Sequence, residues 1–398
     1  MKNKLTVLAM MLGAAGLVAP TAHAQDKVKI GFITDMSSLY ADVEGKNGAL
    51  AIQMAIDDFG GKVLGMPVEM ISADHQNKAD IAASKAREWI DTEGVTMLFG
   101  GTNSGTALAS AKVAAEKKRV YVNSGAGSSA LTNAQCTPYT VHYAYDTVAL
   151  ARGTGSAIVD AGGKSWFFLT ADYAFGQALE TDTAAAVKAK GGTVAGAVRH
   201  PLNASDFSSF LLQAQNSKAQ ILGLANAGGD TINAIKAAKE FGIDKTMKMA
   251  GLLLFITDIH SLGLRNTAGL QFTSSWYWDL NDETRKFANR FFEKTKRMPT
   301  SIQAADYSAT TNYLKAVEAA KSTDADKVMA AWRGMKMNDF YASGTLRPDG
   351  RYVHDMYLLE VKKPSESTKP WDYFKVVKKI PGEQIFTTKA ESTCALWK

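Results

Sequence analysis

Twice along this chain, short apolar runs alternate with longer stretches whose apolar residues recur every three or four positions, and that double rhythm limits the folds available. The first series begins with VKIGFIT at Val28 and passes through the helical spacing of Ala49, Ile52, Ile56 and Phe59 to PVEMISA. It continues through IAASKAREWIDTEG, VTMLFG and an alanine-rich helix to RVYVNSG. The second starts after Gly163 with KSWFFLT and runs through FGQALETDTAAAVKAKGG, TVAGAVR, DFSSFLLQAQNS, AQILGLA and TINAIKAAKEFG to MKMAGLL and GLQFTSS. Such alternation predicts parallel sheets covered by helices on both faces, so the expected fold is α/β with two Rossmann-like lobes. With 398 residues and 46% hydrophobic content, the chain can bury two cores. Later helices over ETRKFANRFFEKT and SATTNYLKAVEAAK bring little strand sequence and are expected to pack on an existing sheet. The Pro-Asp-Gly turn of TLRPDGRYVHDMYLLEVK precedes one more alternating strand.

The N-terminus reads as an export signal. Lys2 and Lys4 precede an apolar stretch from Leu5 to Val18, and Ala22-His23-Ala24 has the small-x-small form of a cleavage site, so the mature chain is expected to start at Gln25 in the periplasm. The stretch is shorter than the ~20 residues of a spanning helix. The net charge of +6 includes the two signal lysines, leaving +6 − 2 = +4 for the mature chain. That mild excess is spread over helix faces without interleaved aromatics, which argues against nucleic acid as a partner. Cys136 and Cys394 in an oxidising compartment are read as one disulfide, the alternative being two buried thiols. The histidines are scattered, so neither a metal nor another cofactor is expected.

The loop between VTMLFG and its helix carries Gly100, Gly101, Thr102, Asn103 and Ser104. A phosphate loop would need glycine at Ile158 ahead of Gly163-Lys164-Ser165. GAGSSA from Gly125 to Ala130 fits a loose dinucleotide pattern, but on the fourth strand of its lobe rather than the first. A nucleophile elbow would read G-x-S-x-G, whereas Ser104 lies in GTNSG. What remains is an anion cradle, in which glycines allow close backbone approach and small polar side chains stand beside the positive end of a helix. The next loop repeats the recipe with Asn123, Ser124, Gly125, Gly127 and Ser128. Two capped helix starts are the plainer alternative.

LYADVEGKNGALAIQMAIDDFGG, GGTNSGTALA, NSGAGSSALT and DYAFGQAL, in this order and spacing, closely resemble the solute-binding proteins of branched-chain amino-acid-type ABC transporters, the type I periplasmic binding proteins. The resemblance spans essentially the whole mature chain. It implies an N-terminal lobe of residues 25–145 and 277–350, and a C-terminal lobe of 146–276 and 351–398. Three crossings near 144–148, 273–279 and 347–354 would form the hinge, and the protein would act as a monomer that closes on a small ligand and docks on a membrane permease. Carried over residue by residue, the resemblance assigns the ligand carboxylate to Asn103, Ser104, Gly125 and Gly127, with Ser128 able to substitute for the family's threonine. It adds Tyr40 after the first strand and Asp172, Tyr173 and Phe175 in the second lobe. Asn103 stands in place of the family's serine, and Leu254 and Phe255 occupy positions where an acid would meet an amino-acid ammonium.

Two function classes follow. A transport binding protein needs donors and apolar walls but no activated nucleophile. An exported hydrolase of small amides or esters would use Ser104 or Ser128, and a sensor subunit would share the transport fold. Burying an ammonium without an acidic partner costs several kcal/mol. Asp172 and Asp230 are the acids available, and each also suits a helix start. Tyr40, Tyr173, Phe175, Phe255, Trp276 and Tyr277 offer an aromatic wall instead. The expected ligand is therefore a small organic carboxylate or amide, aromatic ones included, with a branched-chain amino acid second.

Overall fold

Alternate residues of the first strands point to two different cores. In the computed structural model, which describes residues 27–398, Ile30 and Phe32 join Met97, Phe99, Val120 and Val122 in one apolar cluster. Their neighbours Ile33, Leu98 and Tyr121 join another with Ala86, Trp89 and Ala111. Period-two alternation with both sets apolar is what a sheet buried on both faces requires. The strands form a six-stranded sheet in the order Lys62–Val63, Met66–Asp74, Val28–Thr34, Met97–Phe99, Val120–Asn123, Thr140–His142. All pairings are parallel except the edge hairpin of the first two. Helices Gly45–Asp58 and Ser301–Ala320 pack together beside this sheet, as do Ala79–Thr92 and Ser104–Glu116.

The second series builds a four-stranded parallel sheet in the order Lys248–Gly251, Ile221–Ala225, Ser165–Ala171, Thr193–His200. Gln271–Ser274, expected to extend this series, instead pairs antiparallel with Met356–Val361, which in turn pairs with Phe374–Ile380. A second small antiparallel sheet joins Lys336–Asn338, Ser343–Leu346 and Tyr352–His354 around the foreseen Pro-Asp-Gly turn. The signal-peptide reading lies outside the described residues. No helix among the described residues is long and apolar enough to cross a membrane.

The chain passes between the two parallel sheets through three neighbouring segments, and a buried cation ties two of them. Arg351, fully buried, donates Nη2–H to the Tyr143 carbonyl and Nε–H to that of Tyr352, and stands 3.7 Å from the Asp146 carboxylate. Gly350 has φ +86°, and a Cβ there would lie 2.2 Å from the Thr140 carbonyl oxygen, so only glycine lets the strands approach so closely. Cys136 and Cys394 come together with Cα atoms 5.7 Å apart and sulfurs at bonding distance, fastening the C-terminus beside the first lobe.

Candidate ligand-binding cleft

The carboxyl ends of both parallel sheets face one another, and their loops line a cavity with only about 10 Å³ of free volume. From the first sheet come Tyr40, Val43, Thr102 and Gly125, with Ile302 at the start of a long helix. From the second come Tyr173, Phe175, Ala227, Leu253 and Phe255, and Tyr145 enters from a crossing segment. The space is narrow, and the lobes touch across it. Tyr40 Oη and Tyr173 Oη are 2.6 Å apart. Burial raises both phenols, so both remain protonated and able to donate.

Local sequence explains how Tyr40 is held. The buried Asp35 carboxylate, at the end of the first strand, accepts from the amides of Ser38 and Tyr40, from the Ser38 hydroxyl and from Asn77 Nδ2. This folds the chain back so that the ring enters the cleft. On the far side the Phe255 amide donates to Asp258 Oδ2 at 2.9 Å, and burial pushes that carboxyl up to about 7.

The two glycine-rich loops divide into a lining layer and a supporting layer. Thr102 and Gly125 reach the cavity. Asn103 caps the next helix, its Oδ1 accepting from the amides of Gly105 and Thr106. Ser104 Oγ accepts from the Ser128 amide at 3.1 Å, tying the loops together, while Ser128 Oγ accepts from the Ala130 amide. Asn123 closes its own turn through Ala126. Gly127 is packed so tightly that a Cβ would come 2.7 Å from Tyr145 Cε2 and 2.9 Å from Phe175 Cε2. The loop recipe read from sequence thus shapes the cavity mostly from one layer back.

Of the acids considered for a cationic group, Asp172 points outward, 3.7 Å from Arg199 Nη1. Asp230 is buried and accepts from the amides of Asn203 and Ala204, and burial pushes it up to about 6. Trp276 and Tyr277 line a separate crevice with Phe374. Sequence reasoning missed Tyr145, Val43, Ala227, Leu253 and Ile302, which are cavity walls only through tertiary placement. It also missed a buried polar group under the first loop. There Thr34 Oγ1 donates to Glu44 Oε2, Ser124 Oγ lies 3.0 Å from Glu44 Oε1, and the same oxygen is 2.5 Å from Asp306 Oδ1.

A cleft between two α/β sheets, closed by three crossings and walled from both sides, defines a two-lobed receptor for a small solute. The sequence matches the Periplasmic binding protein family over residues 27–368, and the chain belongs to that family, with its type I fold. A solved periplasmic binding protein from Burkholderia mallei is 70% identical, with 94% of this chain and 100% of that chain covered, at a TM-score of 0.93. A branched chain amino acid ABC transporter periplasmic ligand-binding protein from Burkholderia xenovorans LB400 is 42% identical over 94% and 100% of the two chains, at 0.84. A solute binding protein of an ABC transporter from Rhodopseudomonas palustris HaA2, solved in complex with p-hydroxybenzoic acid, is 25% identical over 90% and 98%, at 0.81.

Proposed function

We propose that this protein is the periplasmic solute-binding component of an ABC importer, taking a small organic carboxylate into the interlobe cleft and handing it to a membrane permease. The observation that carries this reading is the composition of the cavity. Five aromatic rings, those of Tyr40, Tyr145, Tyr173, Phe175 and Phe255, meet Thr102 and the Gly125 backbone at the end of the first sheet. An aromatic wall with a polar end suits a flat acid, and Thr102 with the supporting Asn103, Ser104, Asn123, Gly127 and Ser128 would receive its carboxylate.

The p-hydroxybenzoic acid held by the Rhodopseudomonas relative supports the aromatic reading, because a ring hydroxyl at the far end would meet the two tyrosine hydroxyls. The transporter name of the Burkholderia xenovorans relative favours a branched-chain amino acid as second reading. That ligand would need an anion for its ammonium, with Asp230 the candidate behind the tyrosines. Transport without chemical change is the role proposed, which leaves Ser104 and Ser128 as loop-forming hydroxyls. Release of Gln25 as the mature N-terminus belongs to the same proposal.

A thermal-shift panel of benzoates, keto acids, short amides and amino acids tests it. A ligand at a hundred times its dissociation constant stabilises by ~2.7 kcal/mol. Stabilisation by an aromatic acid is expected. Response to leucine or valine alone, lost in Asp230→Asn, would replace the first reading by the second.

A further inference from the structure

Below the cavity floor, two carboxyl groups converge on one hydroxyl. Glu44, Ser124 and Asp306 are all fully buried, and Ser124 Oγ stands within hydrogen-bonding distance of both Glu44 Oε1 and Asp306 Oδ1. A serine hydroxyl has one proton to give. One of those two contacts therefore requires a proton carried by a carboxyl group, and Asp306 Oδ2 is left without any other donor. The residues come from three distant parts of the chain: the turn after Tyr40, the second glycine-rich loop and the helix Ser301–Ala320. The cluster is continuous with the cavity in two ways. Gly125 lines the cavity, and a Cβ on it would be 3.3 Å from Glu44 Oε1, so its bare Cα leaves the carboxyl directly behind the wall. Thr102, also lining the cavity, has its Oγ1 3.4 Å from Thr34 Oγ1, which donates to Glu44.

We propose that Glu44 and Asp306, bridged by Ser124, act as a proton-holding positioning pair. A carboxylate settling against Thr102 and Gly125 draws a proton from solvent into the pair, so that anion and proton bind together. The inference rests on the carboxylate reading of the cleft. It follows from the sign of the charges. A second anion brought next to a buried pair is accommodated when the pair becomes less negative, and an ammonium in the same place would expel a proton. By reciprocity, protonation of the pair strengthens binding of the acid by the same factor. The hydrogen-bond chain can follow. A protonated Glu44 donates to Thr34, Thr34 to Thr102, and Thr102 to the ligand.

The groups facing Glu44 agree with this. Asp35 from the first strand's end, Asp306 from the long helix, and the rings of Tyr121 and Tyr145 surround it, and none of these is cationic. Burial pushes Glu44 up to about 7 and raises Asp306 well above the ordinary carboxylate range. Across the cleft Asp230, about 6, faces the two tyrosines and is the competing source of pH dependence.

Calorimetric titration of the mature protein with 4-hydroxybenzoate and with leucine, at pH 6, 7 and 8 in buffers of different ionisation heat, counts the protons exchanged. Uptake approaching one proton is expected for 4-hydroxybenzoate, with affinity falling by up to about tenfold per pH unit. Glu44→Gln should flatten the profile, while Asp230→Asn should retain it. An infrared band from a protonated carboxyl at pH 7, lost in Glu44→Gln or Asp306→Asn, reports the pair without any ligand. Absence of that band in the wild type overturns the inference. So does binding without proton exchange, or the same uptake in Glu44→Gln; proton release on leucine binding instead places an ammonium beside the pair and overturns the carboxylate reading of the cleft. If neither compound binds at any pH, the carboxylate reading falls and the coupling falls with it.

Discussion

Replacing Tyr173 by phenylalanine removes one atom from the contact that closes the cleft. The Tyr40 and Tyr173 hydroxyls, 2.6 Å apart, belong to different lobes, so their hydrogen bond exists only when the lobes are together. A hydrogen bond of this kind contributes a net ~0.5–1.5 kcal/mol, and leaving a buried partner unpaired costs ~1–3 kcal/mol. Tyr40 is only 3% exposed, so Tyr173→Phe strands its hydroxyl in the closed form. A loss of about 1–2 kcal/mol from the closed state alone moves the open-to-closed ratio by roughly 5- to 30-fold. Tyr40→Phe should do the same, and the double variant should cost less than the sum of the two singles, because both orphaned groups are then gone. Distances between spin labels on the two lobes, measured without ligand, report the ratio. Open populations unchanged in both single variants, or strictly additive effects, would refute the latch.

Four further outcomes follow from particular residues. Asn103→Ala should lower stability by about 1 kcal/mol through loss of the cap on Gly105 and Thr106, read by denaturant titration; any loss of affinity for a carboxylate beyond that would mark a direct role in binding. Gly127→Ala should place a methyl group against Tyr145 and Phe175, costing about 1–3 kcal/mol and weakening ligand closure, visible as a smaller ligand-induced decrease in radius of gyration. Joining Cys136 to Cys394 closes a loop with sequence separation 258, for which chain entropy gives roughly 5–6 kcal/mol; both thiols alkylating in unreduced, denatured protein would refute the bond. Asp258 is raised to about 7 in the fold, so its contribution is fully present below the unfolded value near 4 and is lost as pH rises to about 7. Stability measured from pH 4 to 8 should therefore decline less in Asp258→Asn.

Patterns local in sequence were legible in this chain. VKIGFIT coincides with the strand Val28–Thr34, and TVAGAVR lies within Thr193–His200, because side-chain periodicity is set by the element's own geometry. The strand at Gln271–Ser274 was legible as a strand but not in its pairing. Its partner Met356–Val361 is far along the chain, and nothing in four residues specifies it. The site divides the same way. Tyr40, Tyr173, Phe175 and Phe255 could be named through the family resemblance, but Tyr145 and Ile302 reach the cavity only because a crossing and a remote helix fold over it. Glu44 and Asp306 gave no motif at all, since their meeting depends on two helices packing side by side. Asn103 was legible as polar and well placed, but that its Oδ1 accepts from the Gly105 and Thr106 amides depends on the local backbone geometry.

A cleft that carries a small carboxylate unchanged should retain it through purification. Native mass spectrometry of protein purified gently from the periplasm of cells fed candidate acids, followed by release and identification of what it holds, tests this most directly. One small acid per chain is expected, recovered intact and without a primary amine. Recovery of a branched-chain amino acid would contradict the proposed ligand, and recovery of a hydrolysed or otherwise altered compound would contradict the proposed role.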